Sequence, residues 1–445
     1  MGEKKISNKK IKPMRAIKPF KITRSKEKLS NRIGLPLLEQ IIEHLKIRKA
    51  IDEKFPKAGS NRAISASDYI TTLMYMFIDG AVHLEDVNHL QSDEAFQEML
   101  KEMQLPTSDA IGDWLRRHGS KETEKQLWEV MQSVLTVVEK PGSILDIDAT
   151  IIQSEKGDAQ RTYKGNYGYQ PLLGIIAENG MVVGSDFRQG NASPQSGLVE
   201  LIEQCRRNYS QEIKIVRSDS AGWQKQIVNY CNDNNLGFTI SADQTTSVLE
   251  AILSLSEDQW SDAVALDGIK EGYQTAQTEY SFGSKKRKVR LVVKRELLKK
   301  QINLFSSYRY WIVATNLKEK DYDNYQVIKL HQGRGSMEKK IGELKHQINL
   351  NHLPMGQFNS NCLYFTVGLL AYNLLQLLKL VGLPEEYHNK TVKTLRYQLL
   401  KLAGKLVLHA RYMILQIAAP IKNIQLFSEA YYKLRFAPLP VPRRV

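Results

Sequence analysis

The sequence predicts an α/β fold: a mixed sheet flanked by helices in the middle of the chain, set between an all-helical N-terminal region and a mainly helical C-terminal region. Three observations predict it. Two segments, SILDIDAT (143–150) and EIKIVRSDS (212–220), have the strand character of a sheet, the first with a clear period of two. Segments with helical apolar spacing lie between and after them, so strands and helices alternate as they do in layered α/β domains. On either side, residues 31–135 and 351–445 read as helices over most of their length.

Taken in order, residues 1–30 hold 11 Lys or Arg and two Glu, which places +9 of the chain's formal +15 in one tail. Such a tail, containing proline and lacking apolar runs, is expected to stay disordered until it meets phosphate. Without an apolar stretch it does not read as a secretory signal. From 31 to about 135, LPLLEQIIEHLKIRKAI has helical apolar spacing, and SASDYITTLMYMFIDG starts on Ser and Asp and stops on Gly. LPTSDAIGDWLRRHGS is the candidate recognition helix of this region, a helical DNA-binding region on that reading. Pro106 breaks the chain, Thr107 or Ser108 can cap, and Arg116, Arg117 and His118 end the helix in positive charge. The same features suit an ordinary amphipathic helix, and both readings stand at this point.

The central domain is expected to span 143–350. Its order is a strand at 143–149, a strand pair around Pro171–Phe187, a helix at 193–208, a strand at 212–218, a helix, and a strand at 237–241. This is the pattern of a ribonuclease-H-like mixed sheet flanked by helices. A β-rich insertion follows, about 242–307. Within it Lys286, Lys288 and Arg290 alternate and give one cationic face, suited to DNA contact or to the solvated edge of a sheet. After the strand YRYWIVATN, the stretch HQGRGSMEKKIGELK (331–345) reads as one helix. Beyond 351 the chain returns to helices, with a basic, partly stranded stretch at TLRYQLLKLAGKLVLHARYMILQI. The run CLYFTVGLLAYNLLQLLKLVG is long enough to raise a membrane question. Thr366, Asn373, Gln376 and Lys379 interrupt it, so it reads as a helix buried under the sheet, and no membrane partner is expected. Cys205, Cys231 and Cys362 lack metal-ligand spacing and fit a reducing cytosol.

The chemistry sits on three of these elements. On the first strand Ile144, Asp146 and Asp148 share a face, which is costly unless a cation lies beside the two carboxylates. Asp219 ends the second strand where it opens into a helix, the place where open α/β sheets put their chemistry, although it equally suits a helix N-cap. On a helix over 331–345, Arg334, Glu338 and Lys345 fall within about 40° of one another around the axis, and His331 within about 60° of the nearest. Asp148 (or Asp146), Asp219 and Glu338 thus form a carboxylate triad delivered by two strands and a later helix. Hard oxygen ligands without a Cys or His cluster suit Mg²⁺ or Mn²⁺ rather than zinc. Two such ions, about 3.5–4 Å apart, can activate a water or a 3′-hydroxyl and stabilise the leaving oxygen of a phosphodiester. No Walker-type glycine loop is present, so the expected substrate is DNA or RNA rather than a nucleotide, and the basic charge agrees.

On these residues the chain resembles the bacterial insertion-sequence DDE transposases that carry a Tyr-x2-Arg-x3-Glu-x6-Lys signature. His331, Arg334, Glu338 and Lys345 match its spacing, with His in place of the Tyr. DIDAT, YKGNYGYQPLLGIIAENG, RQGNASPQSG and VRSDS are similar to the subgroup whose first strand reads Asp-x-Asp-x-Thr, and the resemblance runs from about Leu145 to Gln347. It implies that Asp148, rather than Asp146, is the first metal ligand, and that Arg334 and Lys345 hold phosphates near the cut. It also implies that Trp311 stacks on a flipped base, and that His331 stands where the signature contacts phosphate. The function so implied is metal-dependent cleavage and strand transfer of DNA at the ends of an insertion sequence. Its partners would be the element's terminal inverted repeats, target DNA and further copies of the chain, in a bacterial cytoplasm on nucleoid DNA. The residues leave a second class open, a ribonuclease-H-like nuclease or a domesticated sequence-specific DNA-binding regulator. Occupation of all three acidic positions argues against the regulator but not against the nuclease.

Overall fold

The computed structural model describes residues 21–57, 59–60, 63–101, 103–138, 140–265, 267–282, 288–298, 308–409 and 412–436. Residues 1–20 of the basic tail and Lys286 lie outside the described residues.

The alternating segments become one large mixed sheet, with nine strands among the described residues. In chain order they are β1 (Ile144–Ala149), β2 (Leu172–Ile176), β3 (Val182–Asp186), β4 (Ile215–Ser218), β5 (Gly237–Ser241), β6 (Ser261–Val264), β7 (Lys270–Ser281), β8 (Lys288–Leu297) and β9 (Tyr308–Thr315). Across the sheet the order is β6-β7-β8-β9-β5-β4-β1-β2-β3. β1 lies antiparallel to β2 and parallel to β4, and β4 is parallel to β5. Parallel neighbours need crossovers, which is why helices separate β3 from β4 and β4 from β5. The insertion does not form a separate unit. Its three strands β6, β7 and β8 continue the sheet through β9, which pairs antiparallel with β5.

Helices α1 (Ala66–Asp79), α2 (Ser108–His118) and α3 (Lys121–Leu135) belong to the N-terminal region, and each begins on a Ser or Thr whose side chain accepts a backbone N–H of the first turn. α4 (Leu198–Asn208) and α5 (Lys225–Asp233) are the crossovers, and α6 (Asn324–Gln332) and α7 (Gly335–His346) follow the last strand. α8 (Phe358–Leu377) is the apolar run, packed against α1, α2 and α3. With the turn that follows, Phe358–Gly382 is long and apolar enough to cross a membrane, and 89% of that apolar window is buried inside the fold. Of its polar interruptions, Thr366 donates to the Cys362 carbonyl at 2.9 Å, Lys379 donates to the Lys390 carbonyl at 3.0 Å, and Asn373 is paired with the sheet. Asn373 brackets Val182 on the outer strand β3, accepting its N–H at 2.9 Å and donating to its carbonyl at 2.7 Å, so the helix closes an edge that would otherwise be open.

Two expectations are corrected. Lys28–Ser30, placed within the disordered tail, is a strand that pairs with Ala403–His409, itself paired with Tyr412–Ala418. It is held by Ser30 donating to Asp93 at 2.7 Å and by a Lys28–Glu98 ion pair at 2.8 Å. The stretch 331–345 is not one helix. α6 ends at Gln332, the chain turns at Gly333, and α7 begins after Arg334. A Cβ at Gly333 would run into the guanidinium of Arg217, so glycine is what allows the turn to sit there.

Candidate active site

β1 and β4 lie side by side with Asp146 in register with Arg217. Side chains in register on neighbouring strands share a face, and the pair forms a buried, bidentate ion pair, Nε to Oδ1 at 2.6 Å and Nη2 to Oδ2 at 2.7 Å. Arg217 also donates through Nη1 to the Leu330 carbonyl on α6 at 2.7 Å, tying that helix to the sheet. Burial pushes the Asp146 carboxyl up and the Arg217 guanidinium pulls it back. Both Asp146 oxygens are thus committed to Arg217. Of the two aspartates on β1, Asp148 is the more exposed, at 16% against 1%.

Two residues further along each strand, on the same face, stand Asp148 and Asp219. Asp148 accepts the Ala149 N–H through Oδ1 at 2.8 Å and Arg334 Nη2 through Oδ2 at 2.9 Å. Asp219 caps the short helical turn Ser220–Gly222, accepting the Ala221 N–H at 3.0 Å, while its other oxygen lies 3.8 Å from Arg334 Nη2. Asp219 thus spends one oxygen on the cap and turns the other towards Arg334. Glu338, in the first turn of α7, is 69% exposed and reaches to 3.9 Å of Arg334 Nη1. One guanidinium stands among three carboxylates brought from β1, the end of β4 and α7.

Asp148 feels this crowding most. Burial raises its carboxyl, Arg334 holds it down, and Asp219 and Glu338 raise it further, to about 6 from an ordinary 3.8. Among the described residues no three His, Cys, Asp or Glu side chains are drawn together closely enough to hold a metal ion, and the cation at the convergence is Arg334. The donor chemistry nonetheless fits a hard divalent ion, being carboxylate oxygens without sulfur, with an excess of negative charge that one guanidinium does not balance.

The family model for the transposase DDE domain group 1 matches residues 15–439. The chain belongs to this family of DDE transposases. No curated protein matches it. Among solved structures it is similar to the piggyBac transposase of a synaptic complex with hairpin DNA, determined by cryo-electron microscopy. That similarity is at 11% identity, over 83% of this chain and 80% of that one, with a TM-score of 0.43, a distance that carries no inference about substrate.

The other residues singled out in the sequence sit variously in the transposase. Lys345 donates through Nζ to the Ile151 carbonyl at 2.7 Å and lies 3.4 Å from Thr150 Oγ1, so it fastens the chain as it leaves β1; burial and the nearby Lys164 lower its proton affinity. His331 does not present a phosphate donor in this arrangement. Its Nε2 meets Ser241 Oγ at 2.9 Å and its Nδ1 meets Thr239 Oγ1 at 3.1 Å, both on β5. Burial and the charge of Arg334 push the imidazole down to about 4, so it is neutral at physiological pH. Trp311 is half-buried beside a cavity of about 380 Å³ that also touches His331, Ser241 and Gln332. Lys294 Nζ and the Arg309 guanidinium lie over its ring at 4.8 and 4.6 Å.

Arg116 and Arg117 are exposed in the last turn of α2, Arg116 paired with Asp113 and Arg117 donating to the Asp113 carbonyl at 3.3 Å. Lys288 is exposed and paired with Glu279. Arg290 is withdrawn from any cationic DNA face: its donors go to Gln277 at 2.6 Å, the Tyr322 carbonyl at 2.8 Å, the Leu317 carbonyl at 3.3 Å and Asn324 at 2.7 Å. Sequence reasoning missed Arg217. The signal was present in VRSDS, where Arg217 precedes Asp219 by two residues and must share its face.

Proposed function

We propose that this transposase cuts DNA at the ends of an insertion sequence and joins the freed 3′-hydroxyl to target DNA, with a requirement for Mg²⁺ or Mn²⁺. The observation that carries the reading is the convergence of Asp148, Asp219 and Glu338 on one guanidinium. The succession of β3, β2 and β1 antiparallel, then β4 and β5 parallel, supports a ribonuclease-H-like core beneath it.

On this reading the three carboxylates hold the divalent ions. Such ions, when bound, supply activation of a water or 3′-hydroxyl and stabilisation of the leaving oxygen. Asp148 is ionised above about pH 6 and so is ready as a ligand at neutral pH. Arg334 would offer a planar fork to the phosphate oxygens beside the scissile bond. Arg217 and Asp146 keep β1 and β4 in register, and His331 supports the turn between α6 and α7 as a neutral ring held by β5. Lys345 holds the exit of β1, and Trp311 offers an indole at which a base extruded beside the cut can stack. Arg116 and Arg117 would meet duplex DNA from α2, with Lys288 adding charge, in an assembly of more than one copy in the bacterial cytoplasm.

A supercoiled donor plasmid carrying the element's ends tests this reading. With Mg²⁺ the enzyme should excise the element and give joined products. Nicked or linear donor without joined products would make it a nuclease, and binding without cutting would make it a regulator.

A further inference from the structure

The chain leaves Asp148 into a small feature that none of the roles above uses. Ile152–Gln153, Gln160–Arg161 and Tyr167–Tyr169 form a three-stranded sheet with Tyr167–Tyr169 in the middle. Its base is firmly anchored. Tyr169 is fully buried with its hydroxyl 3.2 Å from Asn361 Nδ2, Lys156 donates to the Pro354 carbonyl at 2.7 Å, and Asp158 accepts the Phe358 N–H at 2.9 Å at the start of α8. Its far end is a tight turn closed by Thr162 N–H to the Asn166 carbonyl at 2.7 Å and Gly165 N–H to the Thr162 carbonyl at 2.9 Å. Gly165, at φ +90°, adopts a backbone that other residues rarely reach.

On this rigid turn the side chains face outward. Tyr163 and Tyr167 are 64% and 56% exposed, Arg161 and Lys164 are exposed beside them, and Lys164 Nζ lies over the Tyr163 ring at 5.8 Å. No carboxylate occurs from Ala159 to Ala177. Two aromatic rings held in water on an anchored turn forgo a burial that each could contribute to the core, which points to a partner with flat, apolar faces. The cations around them require that partner to be anionic. Unpaired DNA meets both demands, with bases for the rings and phosphates for Arg161 and Lys164. A second copy of the chain fits less well, because its formal +15 opposes a cationic turn. The site lies next to the chemistry: Lys345, two turns along α7 from Glu338, grips Ile151 at the root of the feature.

We propose that Tyr163 and Tyr167, with Arg161 and Lys164, form a stacking platform for unpaired DNA bases beside the scissile phosphate, a proposal that rests on the DNA-cutting reading above. The test uses the full-length enzyme and fluorescence anisotropy with two probes, a blunt duplex and the same duplex with a single-stranded oligo(dT) overhang. Wild type should prefer the overhang. The double variant Tyr163→Ala/Tyr167→Ala should lose about tenfold or more in affinity for the overhang probe, with blunt-duplex affinity within about twofold and melting unchanged. Tyr163→Phe/Tyr167→Phe should bind like wild type, since the ring and not the hydroxyl stacks. Equal binding of the overhang by wild type and the Ala variant overturns the proposal, as does an equal loss on both probes. A changed oligomeric size with unaltered DNA affinity would assign the face to a second copy and also overturn it. A wild-type enzyme that binds neither probe would sink the DNA-cutting reading itself, a result distinct from any of these.

Discussion

Replacing Asp148 by Asn is expected to stabilise the enzyme in the presence of a chelator while ending catalysis. The carboxyl of Asp148 is raised from 3.8 to about 6 by burial and by the neighbouring Asp219 and Glu338, against the pull of Arg334. At 1.36 kcal/mol per tenfold change in proton affinity, keeping it ionised in the fold costs about 3 kcal/mol above pH 6. Because its folded proton affinity is raised, the native state holds a proton that the unfolded chain releases between about pH 4 and 6. Ionisation of Asp148 therefore weakens the fold as pH rises through that window. His331 acts in the opposite sense. Its affinity is pushed down to about 4, so its burial weakens the fold as pH falls from 6.5 towards 4. A pH scan of the wild type mixes the two, whereas a substitution at fixed, slightly alkaline pH separates them. Asn keeps an oxygen for Arg334 Nη2 but removes the buried charge, so a gain of about 1–3 kcal/mol is expected from urea unfolding in chelator. Adding Mg²⁺ should stabilise the wild type and leave the variant nearly unchanged. A variant less stable than wild type in chelator would refute the electrostatic reasoning.

Asp146→Asn should behave in the opposite way, losing about 3–5 kcal/mol in the same unfolding experiment, because Arg217 would be left as a buried, unpaired cation; wild-type stability would show that the pair is not structural. Arg334→Ala should impair joining of a pre-cleaved end, and Arg334→Lys should restore only part of it, since a point charge lacks the planar fork; full activity of the Ala variant would remove Arg334 from the phosphate-binding role. Deleting residues 1–20 removes seven Lys or Arg and one Glu. It should weaken DNA binding equally across sequences and reduce the salt slope by up to about 5; a loss confined to the element's ends would mean that the tail reads sequence.

Much of the fold was legible because it depends on local periodicity. The period of two in DIDA and the apolar spacing of the helices around it belong to single segments, and they led to a mixed sheet with flanking helices. The polar interruptions of α8 likewise identified a buried helix, and Asn373 shows why such a residue is tolerated there. What was not legible depends on partners distant in sequence. That Asp146 is taken by Arg217 follows from β1 and β4 lying in parallel register across 71 positions. That His331 is enclosed follows from Thr239 and Ser241 on β5, and that Arg290 is withdrawn follows from carbonyls beyond β9. The break at Gly333 was written in HQGRG, but its cause, the Arg217 guanidinium beneath it, comes from β4. Arg334, at the start of α7, lies 3.9 Å from Glu338 one turn on, whereas His331 falls before the break.

The central claim is that Asp148, Asp219 and Glu338 act together on a DNA phosphodiester, and Glu338 offers the cleanest test. It is 69% exposed and contributes little to the core, so Glu338→Gln should leave folding and DNA binding intact. The measurement is cleavage and joining of a supercoiled donor plasmid with Mg²⁺ by this variant beside the wild type, with DNA binding followed in the same preparations. The account predicts joined products from the wild type, and from the variant near-wild-type binding with no cleavage. Cutting and joining by Glu338→Gln at the wild-type rate would contradict it.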